Sequence, residues 1–91
     1  MNNNWGIYIS SNNIIKDNIF ENNDRGIFLD YGSGNNSIMR NIFESNHIGM
    51  FLAGGNNVVT NNTLKHNTLG ILLYYSDGNN VLTDNIMSEN T

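Results

Sequence analysis

The 91-residue sequence predicts an all-β fold, a parallel β-solenoid of about four coils with three short strands in each. Three observations carry that expectation. Asparagines recur on a fixed period, a glycine followed by alternating apolar residues opens each period, and no apolar burst holds a helical period for long enough to form three turns. Asparagine pairs fall at Asn12-Asn13, Asn35-Asn36, Asn56-Asn57 and Asn79-Asn80, separated by 23, 21 and 23 residues. Two further series keep the same three spacings: Asn18, Asn41, Asn62 and Asn85, then Asn23, Asn46, Asn67 and Asn90. The four copies run approximately over 1–23, 24–46, 47–67 and 68–91, within a single domain spanning 1–91.

The first strand of each copy follows its glycine, in Gly6-Ile7-Tyr8-Ile9, Gly26-Ile27-Phe28-Leu29, Gly49-Met50-Phe51-Leu52 and Gly70-Ile71-Leu72-Leu73. Alternation turns Ile7, Ile9, Ile27, Leu29, Met50, Leu52, Ile71 and Leu73 to one side, the expected core. The second strand supplies Ile15, Ile38, Val59 and Leu82 to that core, and the third supplies Phe20, Phe43, Leu64 and Met87. Clusters of Asn, Ser, Gly and Asp between the bursts read as corners. Coils stacked at the strand spacing of about 4.8 Å place equivalent residues directly above one another. An asparagine at a corner tolerates left-handed backbone angles, and its amide can bond to the identical amide in the next coil. The column Asn18, Asn41, Asn62 and Asn85 is therefore expected to be a structural ladder.

Composition narrows the function. A net charge of −4, with only four Lys or Arg, argues against nucleic acid as a partner, because phosphate affinity comes largely from cationic side chains displacing counterions. There is no cysteine to form a disulfide or a thiolate metal site, and no proline. Asparagine makes up 21 of the 91 residues, yet aromatic residues at 10% and a charged fraction of 13% do not fit a disordered chain. No apolar run approaches the length of a membrane span, and Met1-Asn2-Asn3-Asn4 lacks the basic and apolar regions of a signal peptide.

The frame Gly26-Ile27-Phe28-Leu29, Asn35-Asn36-Ser37-Ile38 and Asn41-Ile42-Phe43-Glu44-Ser45-Asn46 resembles the right-handed parallel β-helix repeat of the NosD type. That repeat occurs in periplasmic copper-binding proteins and in carbohydrate-binding and sugar-hydrolase (CASH) domains. The resemblance runs from Trp5 to Thr91 and implies a right-handed coil; relatives are often periplasmic or on the cell surface. It says little about activity, because the matching residues are those that build the coil. Family members usually carry many more coils and an end cap, and the lack of an obvious cap here suggests a fragment or an assembling unit.

Chemistry is expected, if anywhere, in residues that depart from the repeat. Asp17 should sit one coil from Arg40 and Glu44 one coil from Lys65, as surface ion pairs worth under about 1 kcal/mol each. Glu21 above Glu44 is a like-charge stack, but a solvated surface is the preferred reading and no catalytic residue is assigned. His47 and His66 lie on adjacent coils in different columns, so neither a metal site nor any cofactor is expected.

The stronger anomaly is apolar. Tyr8, Phe28, Phe51 and Leu72 should stack outward in one column, with Ile19, Ile42 and Ile86 in another beside Thr63. A continuous apolar stripe on a small domain usually marks an interaction surface. Beside it the corner varies most in length, the long versions being Asp30-Tyr31-Gly32-Ser33-Gly34 and Tyr74-Tyr75-Ser76-Asp77-Gly78. Asp30, Tyr31, Tyr74, Tyr75 and Asp77 with the stripe could form a sugar platform, making polysaccharide the alternative partner. The preferred expectation is a non-catalytic structural or binding module that forms a homo-oligomer, a dimer before a filament, by burying the stripe, an end coil, or both.

Overall fold

The computed structural model describes residues 4–30, 34–73 and 79–90. It contains twelve strands: β1 (Trp5–Ile9), β2 (Ile14–Lys16), β3 (Ile19–Glu21), β4 (Arg25–Leu29), β5 (Ser37–Met39), β6 (Ile42–Glu44), β7 (Ile48–Leu52), β8 (Val58–Thr60), β9 (Thr63–Lys65), β10 (Leu69–Leu73), β11 (Val81–Thr83) and β12 (Ile86–Ser88). No described residue is helical. Every third strand pairs in parallel, giving three four-stranded sheets in the orders β1-β4-β7-β10, β2-β5-β8-β11 and β3-β6-β9-β12. This is the four-coil solenoid that the repeat implied.

Register follows the repeat residue by residue. Ile7 pairs with Ile27 and Ile27 with Met50, Ile15 with Ile38, and Phe20 with Phe43. The core holds Ile9, Ile15, Phe20, Ile27, Leu29, Ile38, Phe43, Met50, Leu52, Val59 and Leu64, with Ile7, Ile71 and Leu82 packed at its margin. Phe20 and Phe43 stack inside it with centroids 4.9 Å apart, close to the strand spacing, because identical residues in register have no other place for their rings. Two of the expected core positions depart. Leu73 is 49% exposed and Met87 52%, since both belong to the last coil and no further coil lies against them among the described residues.

The asparagines form three ladders. In every rung but Asn23–Asn46, which has the backbone bond alone, one Oδ1 accepts two hydrogen bonds from the asparagine a coil earlier, as when Asn41 donates its backbone N–H (2.9 Å) and its Nδ2 (3.1 Å) to Asn62 Oδ1. The remaining Nδ2 hydrogen of Asn41 reaches back 2.9 Å to the carbonyl of Ile15. The series through Asn18, Asn41, Asn62 and Asn85 is such a ladder, and the Asn13 and Asn23 series repeat the scheme at the other two corners. A buried amide with every donor used costs little, whereas its loss strands partners on two coils.

The left-handed backbone lies elsewhere than the sequence suggested. It belongs to the residue before each ladder asparagine: Asn12, Asp17, Asn22, Asn35, Arg40, Ser45, Asn56, Asn61, His66, Asn79, Asp84 and Glu89 all have positive φ. Half of these are not asparagine. One residue turns the chain at each corner, and the next one pins the turn to the coil beyond.

The glycine opening each first strand has a steric cause. A Cβ on Gly26 would lie 2.4 Å from the carbonyl oxygen of Gly49, and one on Gly49 would lie 2.5 Å from that of Gly70. No real Cβ contact is that short, so these positions accept only glycine without a shift of the backbone.

Candidate functional site

Parallel, in-register pairing fixes the outward residues of the first sheet as firmly as the core. Tyr8 pairs with Phe28, Phe28 with Phe51 and Phe51 with Leu72. The rings must therefore pile up at the strand spacing. Tyr8 and Phe28 stack with centroids 5.1 Å apart and planes 18° apart, and Phe28 and Phe51 at 4.9 Å and 9°. Tyr8 is about half exposed, while Phe28, Phe51 and Leu72 are partly buried.

Two neighbours that the repeat analysis passed over complete the site. Trp5 lies edge to face against Tyr8 at 5.3 Å and tilted against Phe28 at 5.8 Å. The Arg25 guanidinium carbon stands 5.5 Å from the ring centroids of both Phe28 and Phe51, within cation–π range, and is held by Asp24 at 2.9 Å. Both occupy the position before the repeat glycine, one column over from the stripe. That spacing was readable, since Trp5, Arg25, Ile48 and Leu69 precede Gly6, Gly26, Gly49 and Gly70. A further outward column, Ile14, Ser37, Val58 and Val81 on the second sheet, is also largely exposed and was not singled out.

Of the loop residues, Asp30 accepts a hydrogen bond from the Tyr8 hydroxyl, tying the first long corner to the stripe. That bond, then burial and the adjacent negative charge, raises the Tyr8 pKa above 10.0. Tyr31, Tyr74, Tyr75 and Asp77 lie outside the described residues. The ladder residues Asn41 and Asn62 are each 1% exposed with their amides bonded, so they have no capacity left for a ligand.

The charged residues sit where the register put them. Arg40 bonds Asp17 through Nε at 3.0 Å and Nη2 at 3.2 Å, Glu44 pairs in register with Lys65, and Glu21 stacks on Glu44. His66 Nδ1 lies 3.6 Å from Glu89, and His47 opens the coil that His66 closes, so the two histidines share one coil rather than lying on adjacent ones. Among the described residues, no three of His, Asp and Glu come together in a way that could hold a metal ion.

The family model described as "Right handed beta helix region" matches residues 1–91, the whole chain. The chain belongs to the right-handed β-helix family. No curated protein and no solved structure matches it.

The two ends of this β-helix differ. In the first coil Ile9, Ile15 and Phe20 are only 5–7% exposed. In the last coil a hollow of about 450 Å³ opens among Gly70, Ile71, Leu73, Leu82, Met87 and Asn90. The hollow is the cross-section of the core at the last described coil.

Proposed function

We propose that this β-helix is a non-catalytic structural module that self-associates laterally through the outward face of its first sheet. The observation that supports the reading is the ring stack. Tyr8, Phe28 and Phe51 turn their faces toward one another, so what they offer to a partner is a wall of ring edges bordered by Trp5. A flat apolar wall on a regular sheet is complementary to another such sheet, and pairing like faces about a two-fold axis gives a closed dimer.

Carbohydrate binding is the second reading, favoured by the Tyr8–Asp30 pair, which sets an aromatic ring beside a carboxylate. Stacking on a pyranose needs an open ring face, however, and the Phe28 faces are occupied by Tyr8 and Phe51. The finer likeness to NosD and CASH repeats supports a third reading, part of a copper-related or polysaccharide-processing β-helix, on residues that serve the coil.

Tyr8→Glu together with Trp5→Glu tests the first reading, because both residues are more than 40% exposed and neither belongs to the core. Light scattering is expected to show a wild-type mass above 10.2 kDa that falls to the single-chain value in the variant, with the circular dichroism unchanged. Equal masses would remove the stripe from the interface. Glycan-array binding by the wild type, lost on Tyr31→Ala or Tyr75→Ala, would replace this reading with the second.

A further inference from the structure

The outward face of the third sheet carries two columns of different character. In β3, β6 and β9 the middle residue is buried and its two neighbours point out, and β12 repeats the alternation in register. One outward column is Ile19, Ile42, Thr63 and Ile86, with Ile19 65% and Ile86 64% exposed. The other is Glu21, Glu44, Lys65 and Ser88. Glu44 and Lys65 are neighbours in register, yet among the described residues neither makes an ion pair.

Two ways of laying this face on a copy of itself keep the strands aligned, as face-to-face sheets require. A two-fold axis along the solenoid sets the apolar column against the charged one, which buries Glu and Lys against isoleucine. A two-fold axis along the strands instead sets each column against itself, with the coils in reverse order. Placed between the second and third coils, that axis puts Glu44 opposite Lys65 of the second copy and Lys65 opposite its Glu44. Ile42 then faces Thr63 and Ile19 faces Ile86, while Glu21 meets Ser88, so no like charges oppose one another on the sheet. Moving the axis onto the second or third coil would set Glu44 against Glu44 or Lys65 against Lys65. At the preceding corner Asp17 comes opposite Asp84, but Asp17 is already held by Arg40. The second sheet offers no comparable match, since Lys16 is the one charge in its outward columns.

We propose that the third sheet is a second self-recognition face, on which two copies of this chain pair in this reversed register about a two-fold axis along the strands. The contact is isologous, because the Glu44–Lys65 pair is made twice. It does not depend on the ring stack, which lies on the first sheet, nor on what lies beyond the first or last coil. Four strands of three residues give a face of about 19 by 10 Å, far short of the roughly 800 Å² per partner of a stable interface. Charge register rather than area therefore selects the partner, and pairing belongs to millimolar protein, above the range that reads the ring stack. Salt weakens it, because both ion pairs remain partly exposed.

The test uses the folded Tyr8→Glu, Trp5→Glu chain as parent, so that the first sheet no longer pairs. Nuclear magnetic resonance reads its translational diffusion and backbone amide shifts from micromolar to millimolar concentration, at low and high sodium chloride. Diffusion is expected to slow toward that of a dimer, with shifts concentrated on β6 and β9, and to do so less at high salt. Glu44→Lys and Lys65→Glu are each expected to weaken pairing about tenfold or more with the circular dichroism unchanged, since each sets like charges opposite one another twice. Mixed in equal amounts, the two variants are expected to pair with each other as the parent pairs with itself, because both facing pairs regain opposite charges. Ile19→Glu, at a 65% exposed position, should also weaken pairing and serves if a charge reversal fails to fold. A parent that stays monomeric at millimolar concentration, a folded variant that pairs as the parent does, or a mixture that pairs no better than its components overturns the third-sheet face. Failure of the ring stack shows separately, in the wild-type mass at micromolar concentration.

Discussion

Asn41 shows what a single residue does in this molecule. Its side chain accepts from Asn18 and donates to Asn62 and Ile15, so it bonds the coils on both sides of its own. Asn41→Leu is expected to cost about 3 kcal/mol or more, because it strands several buried groups at once. Asn22 lies outside the ladders but holds positive φ, so Asn22→Leu should still cost about 1 kcal/mol of backbone strain, and Asn22→Gly nothing. Chemical denaturation of the three variants checks the order; equal losses for Asn41→Leu and Asn22→Leu would show that the ladder adds nothing beyond corner strain. The ladder was legible because its spacing is invariant. The turning residue was not, because Arg40, Ser45, His66 and Glu89 carry no common side-chain signal; their backbone angle is imposed by the corner. Tyr8 supplies a second test at this scale. Its pKa is raised in the folded chain, first by donation to Asp30, so the bond stabilises fully below the ordinary tyrosine value of 10.0 and is lost as pH rises through the higher folded value. Stability should therefore fall above pH 10, less so in Tyr8→Phe, and Asp30→Asn should move the last phenolate step of an ultraviolet titration downward. An unchanged titration in Asp30→Asn would rule the bond out.

At the scale of strands, alternation set the inward columns correctly and left their ends ambiguous. Phe43 and Met87 occupy equivalent positions in β6 and β12, yet Phe43 has no exposure and Met87 is 52% exposed. Phe43→Ala is expected to cost about 3–5 kcal/mol through the cavity it leaves, and Met87→Ala under about 1 kcal/mol in the unassociated chain. Thermal or denaturant unfolding at low concentration measures both, and a similar cost at the two sites would mean that the last coil is covered. Position in a repeat says which face a side chain takes, while burial depends on whether a neighbouring coil exists. The stripe itself was legible from alternation alone. Trp5 and Arg25 were missed because only one copy of each occurs in its column, with Ile48 and Leu69 in the other two coils, so no repeated residue type marked the position.

For the molecule as a whole, three four-stranded parallel sheets leave edge strands at both ends and an outward apolar column on each sheet, on a chain with no disulfide to staple it. Lateral association through the ring stack is the remedy proposed for such a fold. The compositional reading leads to the same expectation, since the coil is short of core side chains. It was silent on polarity, because which end is open depends on side-chain packing in the first and last coils. The mass of the unmodified chain in solution across a concentration series, by sedimentation equilibrium, bears most directly on self-association. A mass that rises above 10.2 kDa in multiples of the chain as concentration enters the micromolar range is expected. A folded chain that remains at 10.2 kDa through high micromolar concentration would contradict it.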